Sequence, residues 1–483
     1  MKKIFKYIPF GLLVLFGGCS DMFDKEVPTY TVVDNAIYDA TSAENALRGV
    51  YSYLIASGSQ TRYDFDTRYI KDAALRVKFF DMQRNSEKEL AEMKTSLTAD
   101  YVTSRWTGIS ELINAANLVI DGVERLDEGL LSETRRQEII GEARFMRAFG
   151  QLYLMKYYSW FWDVNSEYGP VMRRVPTNVK NTQIARSTVR KGYELILEDL
   201  DDAIAHAPDF TTPFRASKGL AKAYKVEVLL MRGEGDDCSE AARLAEEVKT
   251  DYGFALEDSF ADVFANGYNS KELMFSRWLA KTTIDKADGD GGSMKRSFGG
   301  GEWPSTTYKE ILITENNIFR YTETLDSVFY EAADKRKKVI SWKKLWKEDG
   351  DCPMYYMRLA QMYIYKAEAL ARTNAPVQLV LDELNALRSR SKDGDHKLKI
   401  EDYSHYSQDQ LLQLVYNEAV REVGMENGCE YFMAVRIPFR KGYPLLYLYN
   451  DNFAWNRVCW PIPQDELKYN ILMVQNPLTE EES

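Results

Sequence analysis

Residues Arg135 to Tyr158 read RRQEIIGEARFMRAFGQLYLMKYY. Ile139, Ala143, Met146, Phe149, Tyr153 and Tyr157 recur at steps of three and four, the spacing that places side chains on one face of an α-helix. This stripe predicts a long helix with its apolar face in a core. Glu142, Arg144 and Arg147 interrupt it, and at such positions salt bridges on the surface or across a helical hairpin are the expected role.

Working outward, the same period predicts helices over Ser104 to Arg125, Arg190 to Ala207, Ser217 to Met231, Ser239 to Thr250, Pro353 to Arg372, Pro376 to Ser389 and Ser407 to Val423. Short connections between neighbours indicate helical hairpins. Ala223, Ala241, Ala242, Ala367, Ala369 and Ala371 would let helices approach closely, in the style of tetratricopeptide hairpins. No strict 34-residue repeat is present, so the pattern indicates a divergent helix-pair scaffold rather than a regular array. Glu368 and Arg372 form an i,i+4 pair on one helix face.

Three stretches break the helical pattern. Asp285 to Gly301, DKADGDGGSMKRSFGGG, is too polar and Gly-rich for a core. Arg76 to Ala99 reads as a polar excursion, and Pro438 to Asn456 as another, carrying Tyr443, Tyr447, Tyr449 and Trp455. Ligand surfaces are expected on such segments. Gly233 to Asp237 is the best mid-chain seam, dividing residues 31–232 from 233–483 of one intertwined globule.

Composition removes several functions. The formal net charge of -11 would repel phosphate backbones, so nucleic acid is not an expected partner. With only three histidines and no HExxH or CxxC, no catalytic zinc is expected. Cys238, Cys352, Cys429 and Cys459 are too widely spaced for a disulfide framework and read as free thiols or at most one bridge. Asp288 and Asp290 open like a calcium loop, but Ser293 and Gly299 occupy the places of its glycine and final glutamate. No nucleophile elbow, papain-like cysteine or dinucleotide fingerprint occurs, so no catalytic residue, metal or cofactor is assigned. Paired carboxylates acting on a glycosidic bond have no sequence signature here.

At the N-terminus, Lys2, Lys3 and Lys6 precede an apolar run from Ile8 to Phe16. Such a run is too short for a bilayer, which takes roughly 20 residues, and reads as the core of a signal peptide over residues 1–18. Leu15-Phe16-Gly17-Gly18-Cys19 resembles the bacterial lipobox. The expectation is cleavage before Cys19, acylation of its thiol and amine, and anchoring in a lipid bilayer by several chains. Residues 19–30 would form the lipidated end and its tether.

The block from Glu142 to Tyr158, with Tyr168-Gly-Pro-Val after it, resembles the hallmark helix of the SusD/RagB family of outer-membrane lipoproteins. Ser217 to Phe264, the run Arg358-Leu-Ala-Gln-Met-Tyr-Ile-Tyr-Lys-Ala-Glu-Ala-Leu, and Trp460-Pro-Ile-Pro-Gln-Asp-Glu-Leu with Asn470 and Gln475-Asn476-Pro477 follow in family order. One departure is clear. Where members carry an Asn-Glu-Arg helix and a Gly-Gln-Arg run, this chain has Tyr416-Asn-Glu-Ala-Val-Arg-Glu and Gly428-Cys-Glu-Tyr-Phe. Arg421 and Arg436 are then partial counterparts within a different ion-pair network.

The resemblance implies an all-α, SusD-like helical fold with tetratricopeptide-like hairpins and an irregular, loop-rich ligand-binding portion. It also implies a non-enzymatic, outward-facing outer-membrane protein that captures oligosaccharides for a TonB-dependent, SusC-like barrel transporter. RagB-like peptide capture and a scaffold that binds only protein are the alternatives. Aromatic ligand contacts are expected at Phe79 and Phe80 in the first excursion, at Tyr63, Phe65 and Tyr69 before it, and at Trp303 and Tyr308 beyond the glycine loop.

Overall fold

The computed structural model describes residues 36–54, 67–82, 89–278, 319–321, 353–391, 397–424, 426–440 and 442–477. Within them the fold is all-α. Its helices are α1 (Ala40–Ser52), α2 (Thr67–Arg76), α3 (Asp100–Glu124), α4 (Glu133–Tyr158), α5 (Val189–His206) and α6 (Lys218–Arg232). They continue as α7 (Asp237–Asp251), α8 (Phe260–Asn266), α9 (Ala360–Arg372), α10 (Val377–Arg388), α11 (Gln408–Val423) and α12 (Cys429–Arg436). Three short antiparallel pairs complete the architecture: β1 (Phe80–Met82) with β3 (Phe319–Tyr321), β2 (Leu273–Phe275) with β4 (Met357–Arg358), and β5 (Pro438–Arg440) with β6 (Tyr443–Pro444).

Side-chain oxygens start several helices by accepting orphan backbone N–H groups. Ser132, Thr188 and Ser217 do so for α4, α5 and α6, and Ser407 with Gln410 forms a reciprocal capping box on α11. From α3 to α7 each helix packs on the next, and α9 packs on α7 although residues 252–359 intervene. The β2–β4 pair, with Leu273 opposite Arg358, closes the neck of that insertion. Hence the first residues of the expected helix over Pro353 to Arg372 are extended, and the helix starts at Ala360. Gly233, at φ 63°, ends α6 in the left-handed region that glycine enters freely, and Arg232 pairs with Asp237 across the turn into α7.

The stripe of α4 is entirely inside, and its charges bridge helices. Arg147 grips Asp199 of α5 through two bonds of 2.8 and 2.7 Å and donates to Asn117 of α3 at 2.8 Å. Glu142 accepts from the Tyr51 hydroxyl of α1 at 2.9 Å and from Arg215 at 2.6 and 2.9 Å. Close approach sets the helix positions too: a Cβ on Gly141 would lie 2.7 Å from the Ala207 backbone nitrogen.

The C-terminal motif is a clasp on the end of α4. Asn476 donates to the Tyr158 and Trp460 carbonyls at 3.0 and 2.7 Å, while Gln475 exchanges two bonds with the Ile462 backbone. The departure at α11 and α12 has its own network. Arg436 makes a two-bond grip on Glu368, which also pairs with Arg372. Glu418 holds Arg388 and Arg421, and Arg358 meets Glu272, Glu422 and Glu426 in the interior. Cys238, Cys429 and Cys459 are free thiols. No described helix is long and apolar enough to cross a membrane.

Candidate functional site

Two stretches that read as separate excursions are stapled to each other. Asn450, fully buried, donates to the Arg76 and Ala91 carbonyls at 2.8 and 2.9 Å. Arg76 returns two bonds, to the Arg457 and Val458 carbonyls. Lys78 pairs with Asp451 and holds that carboxyl below its usual range. Much of Arg76 to Ala99 is therefore core rather than polar surface: Val77, Leu90 and Met93 are buried.

A third segment joins this face at the end of α4. Ser159 leaves the helix extended, and Trp160 N–H donates to the Tyr168 carbonyl at 3.0 Å. Asp163 and Ser166 side chains accept backbone N–H groups of Asn165 and Tyr168, which folds residues 159–168 into a tight loop. Being outside the helix, Trp160 and Trp162 escape the buried stripe and are only half-buried.

These segments build a continuous chain of rings. Trp160 stacks on Trp162 at 5.5 Å and 26°, and Trp162 stacks on Trp455 at 5.4 Å and 20°. Tyr168 lies against the near end of this stack, 5.3 Å from Trp160. At the far end Phe453 meets Trp455 edge-on at 5.0 Å. Tyr443 and Tyr447 follow, 6.4 and 6.2 Å from Phe453, and face each other at 4.5 Å and 44°. Neighbouring rings occupy both faces of Trp162. The tyrosine pair is the open end, with 46 and 44% of its surface exposed. Gly442, at φ 82°, makes the turn that presents Tyr443.

Such a shelf offers flat apolar faces beside phenolic hydroxyls. That combination suits a ligand with an apolar face and a polar edge. Among the described residues no cluster of three or more metal-ligating side chains occurs.

Of the aromatics expected from sequence, Phe79 is corrected: it is 2% exposed and packs edge-on against Tyr449 at 5.9 Å, so it serves the core. Tyr69 falls in α2 and Phe80 begins β1. Tyr63, Phe65, Trp303, Tyr308, Cys19 and the loop from Asp285 to Gly301 lie outside the described residues. Trp160 and Trp162 were missed. Their signal was Trp160-Phe161-Trp162 just past the last residue of the stripe, where helical periodicity no longer explains aromatic density.

Fold and site together define a helical-hairpin protein with an aromatic shelf at the end of α4. The family described as "Starch-binding associating with outer membrane" matches residues 33–230, and the SusD family matches residues 335–437. The chain belongs to the SusD/RagB family. It is 25% identical over 281 residues to a SusD-like protein of Bacteroides ovatus, a match covering 55% of this chain and 48% of that relative. The matched region thus spans about half the relative's length. A SusD superfamily protein of Bacteroides fragilis has the same fold, with TM-score 0.71, 22% identity, and 91% of this chain and 100% of that one covered. A laminarin-binding SusD-like protein aligns with TM-score 0.67 at 18% identity, covering 91 and 99% of the two chains.

Proposed function

We propose that this protein is a cell-surface lipoprotein that binds oligosaccharides and passes them to a TonB-dependent, SusC-like barrel transporter. The observation that carries the reading is the open tyrosine pair, Tyr443 and Tyr447, at the end of the ring chain. Pyranose rings present C–H faces that pack on aromatic surfaces, while their hydroxyls need hydrogen-bonding partners. Acylation at Cys19 would anchor the protein in the outer membrane, facing outward, with residues 19–30 as tether. Tyr63, Phe65, Tyr69, Phe80, Trp303 and Tyr308 are proposed as further ligand contacts. Binding occurs without turnover.

A panel of labelled oligosaccharides and peptides, tested on the wild type and on a Tyr443→Ala/Tyr447→Ala double variant, checks the reading. The expected result is binding of at least one glycan, weakened tenfold or more in the variant, with no cleavage of the ligand. Tight peptide binding without glycan binding would replace oligosaccharide by peptide as the cargo. Pull-down of a barrel transporter from outer membranes tests the partner.

A further inference from the structure

A cleft of about 350 Å³ shares no lining residue with the ring chain. Four separate parts of the chain form its walls: α3, Leu154 of α4, the segment around residues 171–177, and the short helix Gln464–Tyr469. Cross-ties fix them. The Trp106 indole N–H donates to Glu466 at 3.2 Å, and Asn470 donates to the other oxygen of that carboxylate at 2.9 Å. The Asn114 carbonyl oxygen accepts the Thr177 backbone N–H at 2.7 Å. Arg173 donates to the Asn181 and Thr182 carbonyls at 3.0 and 2.9 Å. The cleft is therefore held in shape by bonds between its own walls, as small-molecule sites commonly are.

Its lining is chemically mixed. Ile113 and Val171 are buried apolar residues, and Trp106 adds a nearly covered indole. Above them, the Ser110 and Thr177 hydroxyls and the Asn114 amide nitrogen bond no described group. Arg173 makes no ion pair among the described residues; burial pushes its pKa down, opposed by Glu466. Glu111 and Glu466 place two carboxylates on the same lining, which disfavours an anionic ligand. An apolar floor beneath groups that both donate and accept matches a neutral polyol.

We infer that this cleft is a second binding site, taking one or two neutral sugar residues. It rests on the proposal that saccharides are the cargo, and adds a concave site for a short unit beside the open shelf. The volume falls within the roughly 300–1,000 Å³ of small-ligand sites.

The test uses the folded, soluble chain without residues 1–19, and reads binding of maltose, cellobiose and laminaribiose by ligand-observed NMR and titration calorimetry. Digalacturonate and a dipeptide supply acidic and zwitterionic arms. Ser110→Phe fills the cleft from the α3 surface, and Thr177→Trp fills it from the facing segment should the first variant fold poorly. Expected is binding of at least one neutral disaccharide, weakened tenfold or more by either filling variant. Binding that survives both filling variants, or no neutral disaccharide binding at millimolar concentration, overturns the site; so does binding of the charged arms alone. Longer oligosaccharides that still lose affinity in the tyrosine variant would leave the first proposal standing when the second fails.

Discussion

Two regions of this molecule are rich in aromatic rings and do opposite things with them. On α4, Phe145, Phe149, Tyr153 and Tyr157 are all buried, and Phe149 alone meets Tyr153, Tyr224, Phe275 and Tyr356 within 6 Å. On the shelf, the rings also contact one another, but the chain runs from half-buried indoles to tyrosines that face water. Phenylalanine and tyrosine occur in both, and the shelf adds three indoles. What differs is the backbone beneath them: a long helix repeats its period into the core, while the loop 159–168 and the short, broken elements of 442–457 present successive side chains to different surroundings. Aromatic density therefore marks a binding surface only where helical spacing has stopped accounting for it.

The buried region is the one that stability measurements can break. Arg147→Met leaves Asp199 without its principal cation in a site with no water access, and removing one partner of a buried pair costs about 3–5 kcal/mol. Chemical denaturation should show that loss. Acid should act more gently through Glu368, because a protonated carboxyl still offers an oxygen to Arg436. Burial would raise its pKa, but Arg436 and Arg372 hold it below its ordinary value. A carboxyl depressed in the fold contributes its full stability above the unfolded pKa, about 4.3. That contribution is lost as pH falls through the folded value. Denaturation midpoints between pH 7 and 3.5 should therefore fall further in the wild type than in Glu368→Gln.

This contrast also explains what could be read in advance. The α4, α5, α6 and α11 boundaries follow from apolar spacing and caps to within a few residues, since both are local signals. The start of α9 did not, because residues 357–358 pair with β2 across the insertion, a contact that no local pattern encodes. Arg76 to Ala99 looked polar because its buried residues are scattered between charges. α12 packs on α2, which ends at Arg76, and Asn450 staples Arg76 and Ala91 from far along the chain. Tyr443, Tyr447 and Trp455 were visible as an aromatic excursion, yet their union with Trp162 depends on tertiary packing alone.

The middle of the shelf should behave as a hybrid. Trp162 stacks on two indoles, and aromatic pairs contribute about 0.5–1.5 kcal/mol each beyond their burial. Trp162→Ala is expected to cost roughly 1–3 kcal/mol on that basis. It should also weaken glycan binding, because Trp455 and Phe453 then lose the stack that positions the tyrosines. A variant that lost stability but bound normally would separate the tyrosine end from the indoles.

The smallest stability effect and the sharpest functional one belong together at Tyr443. Its ring is nearly half exposed, and its neighbours are Tyr447 and Phe453. Exposed substitutions away from caps and networks usually stay within about 0.5 kcal/mol, so Tyr443→Ala should unfold close to the wild-type midpoint. Glycan affinity should nevertheless fall by about tenfold, a loss of about 1.4 kcal/mol. Tyr443→Phe divides that loss. If the ring face carries the contact, the phenylalanine variant keeps most of the affinity; if the hydroxyl does, it falls with the alanine variant. Equal binding by all three forms would move the ligand off this end of the shelf and leave the ring chain as packing, which is what the same residues do on α4.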